Sequence, residues 1–276
     1  MTMTALPATA PPYRPPVRVF EAVSDLADDT ASIIVRSMTR CREENRPFVL
    51  GLAAGASPAP VYAALSARRQ KDGVDFGDMI TFALDEYYPM AHHATESFFH
   101  QLAAVLDDLG VSVENRHFLG GDVPLAEVAA HCEAYDAAIR AAGDIDIQLL
   151  GVGQNGHIGF NEPGSPVDAR TRLVHLHDST RQDATAAFGT LESVPSQAVT
   201  MGIGTILAAK RILLLAHGAK KAPIVKKIIE EEVMSRFPAS FLKNHPAAEV
   251  LVDLPAAALL DRRSANSGGK EGSRVG

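Results

Sequence analysis

The 276-residue sequence has no tryptophan, only two cysteines and no excess of positive charge. Two thiols cannot form the disulfide framework that staples small secreted domains. Ala27, Ala31, Ile34, Met38 and Cys41 recur at helical spacing, as do Val128, Cys132, Tyr135 and Ile139. Both cysteines are therefore expected on the buried stripes of helices, as core thiols. Lysine and arginine total 26 against 33 acidic residues, a net charge of −7. That balance argues against a nucleic-acid partner, which needs a basic face. No apolar run reaches the ~18–20 residues of a membrane span, so no membrane partner is expected. The first residues, "MTMTALPATAPPYRPPVRVF", lack a basic stretch leading into an apolar one, and a cytoplasmic location follows as the expectation. No internal repeat or linker is visible. The reading is one domain over residues 17–261, with an extended proline-rich arm at 1–16 and a disordered tail at 262–276.

Hydrophobic residues make up 46% of the chain and are grouped into short runs. "PFVLGLAAG", "MITFALDEYYP", "IDIQLLGVG", "RILLLAHG" and "EVLVDL" read as apolar strands, the second ending at Asp85, with "RLVHLHD" shorter and more polar. Helical patterns cover roughly residues 25–43, 58–69, 97–109, 125–142 and 220–232. Strands apolar throughout and alternating with helices imply an α/β fold, a mainly parallel sheet covered on both faces.

Ligands of such sheets bind outside the carboxyl ends of the strands, and four of these strands end in unusual loops. Gly55-Ala56-Ser57-Pro58 presents small-residue backbone at a helix start, suited to an anion such as phosphate or simply to a tight turn. Asp85 and Glu86 close an apolar run, where a carboxylate can have a raised pKa and serve as a base; the alternative is a helix cap, against which Tyr87 and Pro89 argue. His157 and Glu162 lie five apart in a glycine-rich loop, an arrangement that suits a general base or a satisfied turn histidine. A metal is not expected there, because no third ligand is evident and His175 and His177 lie further on. Lys220 and Lys221 open a helix on the same rim, as anion contacts or a solvated pair. His92 and His93 read as surface residues. Arg170, Arg172 and Arg181 are anion contacts or ordinary surface charge. Gly151, Gly153 and Gly156 match the G-x-G-x-x-G of dinucleotide sites, and Asp178 falls about 20 residues further on, as that fingerprint asks. A dehydrogenase is thus the alternative reading. Against it, Asn161-Glu162-Pro163-Gly164-Ser165-Pro166 breaks any helix that the third glycine would open.

"LDEYYP", "LLGVGQNGHIGFNEPGS", "TMGIGTIL" and "PASFLKNHP" together resemble the glucosamine-6-phosphate deaminase (isomerase) family, from about Val17 to Leu254. The "NGHIGFNEPG" stretch separates that branch from the 6-phosphogluconolactonases, which share the fold. The resemblance implies a Rossmann-like three-layer α/β/α sandwich without nucleotide cofactor or metal. It implies conversion of an amino-sugar phosphate, glucosamine 6-phosphate, to fructose 6-phosphate and ammonia in amino-sugar breakdown. Asp85 matches the base that moves a proton between C2 and C1. His157 matches the ring-opening acid/base, supported by Glu162 and Asn155. Gly55, Ala56, Ser57 and Lys221 match the phosphate site, and Glu86 and Gly153 are expected against the substrate.

Three departures stand out. Asn155 occupies a place where some members carry Asp. Ala186 stands where members usually place a phosphate-binding arginine, five residues after the one Arg181 matches; that loss is worth about 1.5–3 kcal/mol of binding. Val174 replaces the second basic residue of an allosteric pair that begins at Arg172, so regulation by an acetylated amino sugar is not expected. The alternatives are the same chemistry on galactosamine 6-phosphate or another amino sugar, and a non-catalytic sugar-phosphate-binding protein. A homo-oligomer is compatible with the sequence. The polar, small residues 179–195 could form a lid.

Overall fold

The computed structural model describes residues 14–261. The arm expected over residues 1–16 lies outside them except for 14–16, which join no regular element; the tail expected over 262–276 lies wholly outside. The strands are β1 (Val17–Phe20), β2 (Val49–Leu52), β3 (Ile80–Ala83), β4 (Asp85–Tyr88), β5 (Arg116–His117), β6 (Ile147–Leu150), β7 (Arg172–His175), β8 (Gln197–Thr200), β9 (Ile212–Ala216) and β10 (Ala248–Asp253). The α-helices are α1 (Val23–Glu43), α2 (Ala59–Asp72), α3 (Phe98–Leu109), α4 (Val128–Ala141), α5 (Asp178–Phe188), α6 (Ile203–Leu207), α7 (Ala222–Glu230) and α8 (Leu254–Ala257).

Seven strands form one parallel sheet in the order β1-β10-β9-β6-β2-β3-β5. Alternate side chains of each strand enter different cores, so neither face can be polar. Leu50, Leu52, Leu149, Leu213, Leu215 and Leu251 pack with Leu26, Ile34 and Met38 of α1, Leu65 of α2 and Leu102 and Leu106 of α3. Leu150, Leu214, Val250 and Val252 pack with Tyr135 and Ile139 of α4 and with Ile224, Val225 and Ile228 of α7. The result is the expected three-layer sandwich. Cys41 and Cys132 are both buried and free, one in each core. Helix ends follow local chemistry: the Ser97 side chain caps α3 by accepting from His100 N, and α3 stops at Gly110, whose φ of 71° suits glycine.

The sheet fixes the site. The chain passes from β2 to β3 and β5 on one side, then returns to β6, β9 and β10 on the other. The crevice at this reversal lies beyond the carboxyl ends of β2 and β6, the usual place for a ligand. The four rim loops follow four adjacent strands, β9-β6-β2-β3.

The run "MITFALDEYYP" is not the single strand expected. It is cut at Leu84 into β3 in the parallel sheet and β4 in a second sheet, antiparallel, of order β4-β8-β7. Leu84 belongs to both: its N–H donates to Leu52 O at 2.7 Å, and its carbonyl accepts from Met201 N at 2.9 Å. "RLVHLHD" joins the small sheet as β7. The helix expected from Lys220 begins as a 3-10 turn over Ala219–Lys221, with α7 following.

Candidate active site

Residues from the loops after β2 and β6, from β4, α3 and α5, and from the turn before α7 line a cavity of about 270 Å³ at the crevice. Asp85, the first residue of β4, is 7% exposed and lines this cavity. Among the described residues no side chain or N–H donates to its carboxyl group. Burial pushes its pKa from 3.8 up to about 8, and the neighbouring Glu86 charge adds to the rise. A carboxyl left without donors and facing a cavity is a functional signature, since buried polar groups are normally paired. Gly159 brings backbone close beside it: at φ 54°, a Cβ there would lie 2.8 Å from Thr200 Oγ1 and 3.5 Å from Asp85 Oδ2.

His157 projects from the loop after β6. Its Nδ1 lies 3.7 Å from Glu162 Oε2 and 3.4 Å from Thr180 Oγ1. The first separation is too long for a hydrogen bond, so Glu162 acts on the ring through its charge. Burial lowers the His157 pKa and Glu162 opposes that shift, favouring neutral imidazole, the form that can accept a proton. Glu162 is buried and held on both oxygens: Asn155 Nδ2 donates to Oε2 at 2.8 Å and His177 N to Oε1 at 3.2 Å. Asn155 Oδ1 in turn accepts from His157 N at 3.1 Å. Asn155 therefore ties the acid to the histidine's own backbone, which an amide does by donating at one end and accepting at the other. Gly153 seats the ring: a Cβ there would fall 2.2 Å from His157 Cε1. It also lines the cavity, and its lack of a side chain leaves room for the imidazole.

The anion end is built from Ala56, Ser57 and Lys221, all lining the cavity. Gly55, at φ 88°, makes the turn that aims this backbone at the start of α2, where N–H groups lack intrahelical partners. Lys221 Nζ donates to Val152 O at 2.7 Å, and burial lowers its pKa.

Glu86 corrects an expectation. Strand alternation turns it away from the cavity, and its carboxylate accepts from Tyr87 N (2.8 Å), Ser97 Oγ (2.7 Å), Phe98 N (3.1 Å) and Phe99 N (2.7 Å). It holds the positive end of α3. Arg172 is likewise structural, donating to Asn161 Oδ1 at 2.9 Å and Ser165 Oγ at 3.3 Å. Arg181 donates to Leu191 O and Val194 O at 2.9 and 3.1 Å. Arg170 pairs with Asp136. Ala186 is exposed and does not line the cavity. Gly156 opens no helix; the chain turns back instead in a bridge between Ile158 and Asn161, unlike a dinucleotide loop. Among the described residues, no three His, Cys, Asp or Glu side chains converge to hold a metal.

Helix α5, Asp178–Phe188, overlaps the segment 179–195 expected as a possible lid and places Thr180, Asp183 and Ala184 on the cavity wall. Tyr87 and Phe160, also not anticipated, line the floor within an aromatic cluster with Phe98 and Phe188.

The same architecture and motifs recur in known proteins. A family model described as glucosamine-6-phosphate isomerases/6-phosphogluconolactonase matches residues 21–252. The chain belongs to this family. Within it, a glucosamine-6-phosphate deaminase of Shouchella clausii is 42% identical over 223 residues, 80% of this chain and 90% of that one. One from Pseudarthrobacter chlorophenolicus is 44% identical over 212 residues, 77% of this chain and 81% of that one. Among solved structures, a monomeric glucosamine-6-phosphate deaminase aligns with TM-score 0.84 at 36% identity, covering 88% of this chain and 99% of that one. The 6-phosphogluconolactonase of Trypanosoma brucei, at 19% identity and TM-score 0.73 over 90% of this chain and all of that one, shares the fold. Among the described residues, this family member has no helix long and apolar enough to cross a membrane.

Proposed function

We propose that the chain converts glucosamine 6-phosphate and water to fructose 6-phosphate and ammonia. The observation that carries this reading is the Asp85 carboxyl, buried and without donors, in one cavity with the supported His157 and the Ser57–Lys221 anion end. The similarity to glucosamine-6-phosphate deaminases supports it.

In this reading Lys221 and the α2 backbone hold the phosphate. Neutral His157 takes the proton of the C1 hydroxyl, becoming a transient imidazolium that Glu162 stabilises, and gives that proton to the ring oxygen as the C1–O5 bond breaks and C1 becomes an aldehyde; Asn155 fixes both groups. Asp85 removes the C2 proton to give an enolamine and returns it to C1. The resulting imine at C2 takes up water and releases ammonia, leaving the ketose. A single carboxyl on a rigid strand start can reach both carbons. In the empty cavity at neutral pH Asp85 favours its protonated form; a cationic amine beside it draws it back to the carboxylate, so substrate charges its own base.

Ammonia release from glucosamine 6-phosphate tests the reading. Absence of turnover by the intact protein overturns it. Full activity in Asp85→Asn overturns the base assignment alone. Alanine at position 186, where members of the family usually place a phosphate-binding arginine, motivates a second substrate reading, galactosamine 6-phosphate or another amino sugar; comparing kcat/KM across these sugars decides between them.

A further inference from the structure

Helix α5 forms the cavity's outer wall, and the one charged side chain it contributes is an acid. Thr180, Asp183 and Ala184 line the cavity, Asp183 at its solvent-exposed edge. The Asp183 carboxylate is oriented, since Gln154 Nε2 lies 3.3 Å from each of its oxygens. Among the described residues, the basic side chains lining the cavity are Lys221 and His157. No cation comes from α5 to offset the acid, because Arg181 is turned to the carbonyls of Leu191 and Val194 and Ala186 is outside the wall. A phosphate held by Ser57 and Lys221 therefore meets a fixed negative charge on the opposing helix.

We propose that Asp183 is a specificity-determining residue that holds the cavity's affinity for phosphate dianions down, so that a phosphorylated product leaves readily. This rests on the sugar-phosphate reading of the site. Burial lowers the pKa of both Lys221 and His157, and the charge of Asp183 partly opposes that shift at each. A carboxylate that reaches both groups also reaches an anion placed between them. Its contact with Gln154 gives it a competing role as a latch between α5 and the His157 loop. Asp183→Asn separates the two, because asparagine keeps an acceptor for Gln154 and loses the charge.

The test titrates inorganic phosphate into the intact protein, Asp183→Asn and Asp183→Glu, and measures inhibition by fructose 6-phosphate. Asp183→Asn is expected to bind phosphate about five- to tenfold more tightly at low salt, the size of effect one charge exerts on a dianion across a wet pocket. Inhibition by fructose 6-phosphate tightens by the same factor. The gain shrinks as ionic strength rises, because Asp183 is exposed and screened. Asp183→Glu stays close to the parent. Equal phosphate binding by the parent and Asp183→Asn, in a protein that turns over glucosamine 6-phosphate, overturns this proposal alone. A gain independent of salt does the same, since a lost latch would give it. Phosphate binding by none of the three overturns the proposal together with the sugar-phosphate reading.

Discussion

Replacing Asp85 by asparagine should abolish turnover and stabilise the fold, and the second effect has a sign and a pH window. The carboxyl is 7% exposed and titrates near 8 in the folded protein against 3.8 as a free group. Below about pH 4 both states carry the proton, and the group favours neither. Between about pH 4 and 8 the folded state keeps a proton that the unfolded chain has released. Each pH unit then removes about 1.4 kcal/mol of stability. Above about pH 8 both states are ionised, and the penalty is complete and constant. From pH 5 to pH 8 the parent should lose about 3–4 kcal/mol relative to Asp85→Asn, whose amide is neutral throughout. Urea unfolding of the two proteins at pH 5, 6, 7 and 8 measures that difference directly. A stability gap that does not change with pH would refute the claim that the cavity holds Asp85 protonated. The same shift makes kcat/KM rise with pH toward about 8, because that quantity reports the free enzyme's base. The limb in kcat should lie lower, because bound ammonium favours the carboxylate.

Other substitutions test the remaining parts. Gly153→Ala drives a methyl group into the His157 ring and should lower kcat about a hundredfold, the scale of an ångström-sized misplacement, while circular-dichroism melting changes little because the ring can swing into the cavity. Lys221→Met should raise KM for glucosamine 6-phosphate about ten- to hundredfold with a smaller effect on kcat, the cost of one charge-assisted contact. Glu86→Gln should cost about 1–3 kcal/mol of unfolding free energy by leaving the start of α3 short of acceptors. It should also shift the kcat/KM limb to lower pH, since a charge that raises the Asp85 pKa is gone; an unmoved limb would mean that burial alone sets it.

The parallel sheet and the rim constellation were legible because apolar runs, helical stripes and small-residue loops are local signals. Gly55, Asp85, His157 and Lys221 were found as the residues that end or follow such runs. The small sheet was not legible. β8 is four residues long and differs little from a loop in composition, and β4 continues β3 without a turn residue to mark the break. Missing that break also misplaced Glu86: read as part of a strand's closing loop, two adjacent acids look equivalent, whereas on a pleated strand they must point opposite ways. The two-residue β5 and the edge strand β1 are fixed by partners distant in sequence, Ile80–Ala83 and Ala248–Asp253. Asp183 carried no motif, and only the packing of α5 across the cavity gives it a place.

Leu84, bonded through its N–H to one sheet and through its carbonyl to the other, makes the number of residues at this point as consequential as their identity. One residue added between Leu84 and Asp85 would invert every side chain of β4. It would turn Glu86 into the cavity and send Asp85 to the start of α3, exchanging the two carboxylates without altering either. The seam can accept a changed apolar side chain at Leu84 more readily than a changed length.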